Sequence, residues 1–137
     1  MRSVAPSAVL LAFAAAALVG CTPVYNVKDA PIVTAGGAPA SLTDIQRAIE
    51  RAGAAFGWRM HPVRPGLIVA TLQTRSYTAV VDITYDANAY SITYNNSANL
   101  NYDGTNIHRT YNGWVQNLDR VIRVQLQYLQ AAAPPAR

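Results

Sequence analysis

At 137 residues the chain has room for one domain once its ends are set apart. It is 51% hydrophobic and 13% charged, but much of the apolar excess lies in the first twenty residues and in alanines near both ends, leaving an ordinary middle able to bury a modest core. The formal charge is +4, or +3 without Arg2, and the basic residues are scattered; no run of five like charges marks a nucleic-acid surface or a polybasic membrane patch.

The chain opens on Met1-Arg2-Ser3, followed from Ala8 to Val19 by a continuously apolar stretch. That stretch fits the hydrophobic region of a signal peptide and is too short to span a bilayer as a helix. It ends in Leu18-Val19-Gly20-Cys21, and Cys21 is the only cysteine, so no intramolecular disulfide can form. These four residues resemble the bacterial lipobox. The resemblance implies a leader over residues 1–20, cleavage before Cys21, diacylglyceryl on its sulfur and often acylation, typically by palmitate, of the new amine. Two or three acyl chains, at roughly 0.8 kcal/mol per buried CH₂, make such an anchor effectively permanent. Thr22 stands where the enterobacterial sorting rule places aspartate to retain a lipoprotein in the inner membrane. By that resemblance the expected location is the outer membrane, facing the periplasm.

Residues 22–40 contain three prolines and two adjacent glycines, with no helical or alternating period. Together with Cys21 they are expected to form a lipidated, flexible tether (21–40), with a reach of up to about 60 Å. A docking strand at Val24-Tyr25-Asn26-Val27 is the lesser alternative. The far end, 131–137, reads as a frayed tail.

Between these ends, 41–130 reads as the folded domain. Leu42, Ile45, Ile49, Ala52 and Phe56 have helical spacing, with Ser41 as the cap, Asp44 in the first turn and Gly57 as the stop. Trp58 to Val63 predicts a short edge strand, since Pro62 cannot donate to a ladder. After a Pro65-Gly66 turn, Leu67 to Arg75 reads as a strand. Tyr77, Ala79, Val81, Ile83 and Tyr85 then alternate with polar or smaller residues, Asp86 to Ala89 makes a hairpin connection, and Tyr90, Ile92 and Tyr94 continue the alternation. An asparagine-rich loop leads to a second helix, whose stripe runs from Ile107 through Tyr111, Trp114, Leu118, Ile122 and Leu126 to Leu129. Asn106 is its expected cap, and Gly113 is expected to permit close packing. The fold class is therefore α+β: a two-layer sandwich in which an antiparallel meander of three to four strands has both helices on one face. Asp82, Thr84, Ser91 and Thr93 would line the other, wet face.

The block from Trp58 to Leu126 is similar to small proteobacterial envelope lipoproteins that share a Tyr-Asn-x-Trp-x-x-Asn-Leu pattern, here Tyr111 to Leu118. The resemblance covers roughly half the chain and implies fold and location, without an assigned activity.

Chemistry is sparse. His61 and His108 are the only imidazoles and read as surface residues, and no Gly-x-Ser-x-Gly turn is present. Asn99-x-Asn101-x-Asp103-Gly104 starts like a calcium loop, but the twelfth position is Thr110 rather than glutamate. Nothing near Asp82 or Asp86 raises a carboxyl toward general-acid use. Neither catalysis, a cofactor nor a metal is expected. Tyr94, Asn99, Asn101 and Tyr102 could stack on and hydrogen-bond a glycan such as peptidoglycan, or contact a protein partner. The leading expectation is a non-catalytic, membrane-anchored protein-interaction module that uses its wet sheet face or an edge strand; a glycan-binding module is the alternative.

Overall fold

The structure is a computed structural model that describes Ser3 and residues 20–129. The apolar leader stretch and the 131–137 tail lie outside the described residues. The first helix, α1 (Leu42–Ala55), starts as expected, with Ser41 Oγ accepting the Asp44 amide at 3.1 Å. It stops in a Schellman pattern: the Trp58 amide reaches the Gly53 carbonyl and the Gly57 amide reaches Ala54. That geometry needs a left-handed residue, which Gly57 supplies at φ 85°.

The third and fourth strands in chain order, β3 (Arg59–Arg64) and β4 (Leu67–Gln73), follow as a hairpin joined at Pro65-Gly66 with Gly66 at φ 89°; two shorter strands that precede α1 are described below as βA and βB. Next come β5 (Thr78–Tyr85) and β6 (Ala89–Ala98). Between them the Asp86 carboxylate accepts the amides of Asn88 (2.7 Å) and Ala89 (2.9 Å), fixing the hairpin loop. All neighbouring pairs are antiparallel, and β5 alternates without a break: Ala79, Val81, Ile83 and Tyr85 are buried, whereas Thr78, Val80, Asp82 and Thr84 are not. The second helix, α2 (Arg109–Gln127), sends Tyr111, Val115, Leu118, Ile122 and Leu126 into the core that Ile45, Ala48, Ile49 and Ala52 of α1 also enter. The two-layer α+β sandwich is thus as expected, with an N-terminal and a C-terminal helix over one face of an antiparallel sheet.

The sheet is larger than expected because the anticipated tether is part of it. Cys21–Pro23 forms a strand, βA, and Val27–Pro31 forms another, βB. βB is an edge of the main sheet, in the order βB-β6-β5-β4-β3, with Val27 opposite Ile92. βA makes a separate two-stranded ribbon with βC (Asn106–His108), Cys21 lying opposite His108. This corrects the flexible-linker reading of 21–40. The apolar residues of the segment have a use: Val27 and Ala30 are each only 5% exposed. A bulge between them, with Asp29 at φ 47°, breaks the alternation that would have marked the strand. Pro23 and Pro31 each end a strand, where a missing N–H is tolerated.

Two details of α2 also differ. Asn106 does not cap it; Ile107 belongs to βC, and His108 is the cap, its Nδ1 accepting the Thr110 amide at 3.2 Å. Gly113 does not enable close packing, since a Cβ there would meet nothing within 4 Å.

Candidate functional site

The expected site residues gather at one end of the sheet. Tyr94, in the second half of β6, stacks on Tyr102 with ring centroids 4.0 Å apart, and meets Tyr111 of α2 edge-on at 5.7 Å. The Tyr94 hydroxyl is shared with Ser97 Oγ at 2.8 Å, and Tyr102 is 41% exposed. Asn99 and Asn101 bracket buried Leu100 in left-handed conformations, at φ 64° and 53°, which asparagine tolerates better than most residues. The Asn99 amide is spent on the Ser76 carbonyl (2.9 Å), tying this loop to the β4–β5 turn. Asp103 accepts the Asn106 and Thr105 amides, which hold its carboxyl below the usual range, Asn106 having the larger effect. The loop thus brings Tyr94 and Tyr102 together but commits their facing rings to each other and Asn99 to the backbone. Asn101 remains exposed.

Cys21 lies at this same end. The βA–βC ribbon continues past it, with the Arg109 amide donating to the Gly20 carbonyl at 2.5 Å and the Val24 amide to Thr105 at 3.0 Å. Asn112, in the first turns of α2, clasps the segment after Cys21. Its Nδ2 donates to Thr22 Oγ1 and to the Pro23 carbonyl, both at 2.8 Å, and its Oδ1 accepts the Tyr25 amide at 2.9 Å. His108, opposite Cys21, packs its ring 5.8 Å from Tyr77, which in turn meets Trp114 at 6.1 Å. Cys21 itself is half-buried and unpaired by any disulfide.

The remaining candidates are dispersed. His61 sits exposed on the β3 edge, as expected. Asp82 accepts the Asn95 amide at 2.8 Å on the wet face. Asp86 is held below the usual carboxylate range by the Asn88 and Ala89 amides, the opposite direction from a general acid. An open cleft of about 350 Å³ at the far end of the sheet is lined by Asp29, Arg64, Thr84, Asp86 and Ser91, among others. Among the described residues no three His, Cys, Asp or Glu side chains converge as a metal site. No described helix is long and apolar enough to cross a membrane.

Two features escaped the sequence. Asp119 is 8% exposed, accepts the Tyr90 hydroxyl and pairs with Arg123 Nε at 3.1 Å, forming a polar plug between sheet and helix. The α1 and α2 helices also leave a groove of about 260 Å³ between them, lined by Ala52, Ala55, Phe56, Val121, Val124 and Arg120. Phe56 is 52% and Val124 43% exposed there. The only hint in the sequence was Val124, an apolar residue off the core stripe of its helix.

No protein-family model, curated protein or solved structure matches the chain.

Proposed function

We propose that this protein is a lipid-anchored, non-catalytic envelope lipoprotein of the outer membrane that works as a protein-interaction module. The observation that carries the anchor is the single cysteine in Leu18-Val19-Gly20-Cys21, closing an apolar leader. The resemblance of Tyr111 to Leu118 to small envelope lipoproteins supports the same address.

The docking surface that the geometry favours is the α1–α2 groove rather than a sheet edge. Both edges are blunted: β3 carries Pro62 and an irregularity before Arg64, and βB carries the Asp29 bulge and ends in Pro31. Such features oppose strand addition. The groove instead presents Phe56 and Val124 beside Arg120, which suits an apolar partner segment carrying a carboxylate. A photo-crosslinking residue in place of Val124 should capture a distinct envelope protein in intact cells, whereas one in place of Thr84 on the wet face should not. Equal capture at both positions, or none at Val124, contradicts this docking surface. Purified sacculi test the glycan alternative; retention of the protein that depends on Tyr102 would favour it.

A further inference from the structure

Resting on the lipid-anchor reading, we infer that the end of the domain around Cys21 is a membrane-facing surface, and that the domain lies directly on the bilayer in one orientation. A nineteen-residue flexible tether would let the domain swing some tens of ångströms away. The fold removes that freedom, because regular structure begins at Cys21 itself, in register with His108. Cleavage before Cys21 takes away the Gly20 carbonyl that Arg109 binds. The Asn112 clasp on Thr22, Pro23 and Tyr25 and the Val24–Thr105 bond all lie beyond the cut and hold the strand in place. Lipid on the Cys21 sulfur therefore brings the headgroups against whatever surrounds that residue.

What surrounds it is suited to a headgroup layer. Tyr77 and Trp114 form an aromatic cluster with His108, and Tyr25 (37% exposed) and Tyr102 (41%) present rings with polar tips at the same end. Amphipathic rings of this kind prefer the membrane–water interface. Arg75 in the β4–β5 turn and Arg109 at the start of α2 are exposed here, against Asp103, so the net charge is small and the attraction is not chiefly electrostatic. The opposite end, at Pro65-Gly66 and Asp86 to Asn88, then points away from the membrane. The α1–α2 groove lies along the side and stays open to a partner.

The test uses the full-length lipidated protein, extracted from membranes and reconstituted in vesicles of phosphatidylethanolamine and phosphatidylglycerol. A nitroxide is attached through Ser76→Cys, near the lipid, or Asn88→Cys, at the far end; Cys21 as a thioether does not compete for the label. Spin relaxation by dissolved oxygen and by a water-soluble nickel chelate reports depth. Expected is a loss of nickel collisions and a gain of oxygen collisions at 76 relative to 88, reduced when Asn112→Ala releases the clasp. Vesicles that carry the protein while both labels meet nickel equally overturn the orientation and leave the anchor standing. Protein that does not float with vesicles, with an unmodified Cys21, removes both.

Discussion

Two buried tyrosines show how one hydroxyl can help or harm. Tyr90 and Tyr111 are both almost wholly buried, yet Tyr90 donates to Asp119 whereas the Tyr111 hydroxyl has no partner. Tyr90→Phe leaves Asp119 with one fewer donor inside the protein and should cost about 1–3 kcal/mol in chemical denaturation. Tyr111→Phe removes an unsatisfied group at nearly the same shape and should be neutral or stabilising, by up to about 1 kcal/mol. A loss of similar size in both variants would show that the Tyr111 hydroxyl is satisfied after all. Burial raises the pKa of both phenols above its ordinary value, with Asp119 adding to the effect at Tyr90 and the neighbouring Tyr94 and Tyr102 at Tyr111. Folding thus favours the protonated phenol, a contribution fully present below the ordinary value near 10 and lost as the pH rises above it. Asp86 and Asp103 act in the opposite sense: their lowered values give stability above about pH 4 that is lost as the pH falls below it. The melting temperature should therefore decline at both extremes, and Asp103→Asn should flatten the acid side.

At the scale of the element, periodicity revealed what was local and missed what was not. The middle of the α1 stripe (Ile45, Ile49 and Ala52), its Ser41 cap and Gly57 stop, and the β4–β5–β6 meander could be read because each pattern is complete within one segment; the ends of the stripe, Leu42 and Phe56, are exposed instead of buried. βA, βB and βC could not. They are three to five residues long, βA and βB end in prolines and βB carries a bulge, and their partners lie far along the chain, Val27 against Ile92 and Cys21 against His108. Ile107 misled for a related reason: its four-residue spacing to Tyr111 suits a helical stripe, although it belongs to a strand that turns directly into α2. Of the candidate site, the nearness of Tyr94 and Tyr102 was foreseeable, but their mutual stacking was not. Gly113 offers a direct test of α2. With open space around its Cβ position, Gly113→Ala should stabilise the protein by about 0.5–1 kcal/mol through helix propensity alone. Destabilisation would mean that the glycine serves a contact outside the domain. Removal of residues 22–31 should destabilise the fold sharply, since it uncovers the β6 edge and takes Val27 and Ala30 from the core; an unchanged urea midpoint would show that the segment is a tether.

For the whole molecule, the arrangement divides into three regions. Cys21 and the aromatic rings occupy one end, the α1–α2 groove lies along the helical layer, and the open cleft near Asp86 occupies the other end. A lipid at the first region would hold the second at a fixed height above a membrane, a geometry fit for holding a partner close to the bilayer. Everything in that proposal depends on the fate of one thiol. Mass spectrometry of the N-terminal peptide from membrane-extracted protein is the decisive measurement. The proposal predicts a peptide beginning at Cys21 and carrying diacylglyceryl on its sulfur. A peptide running through Gly20 into an unmodified Cys21 would contradict it.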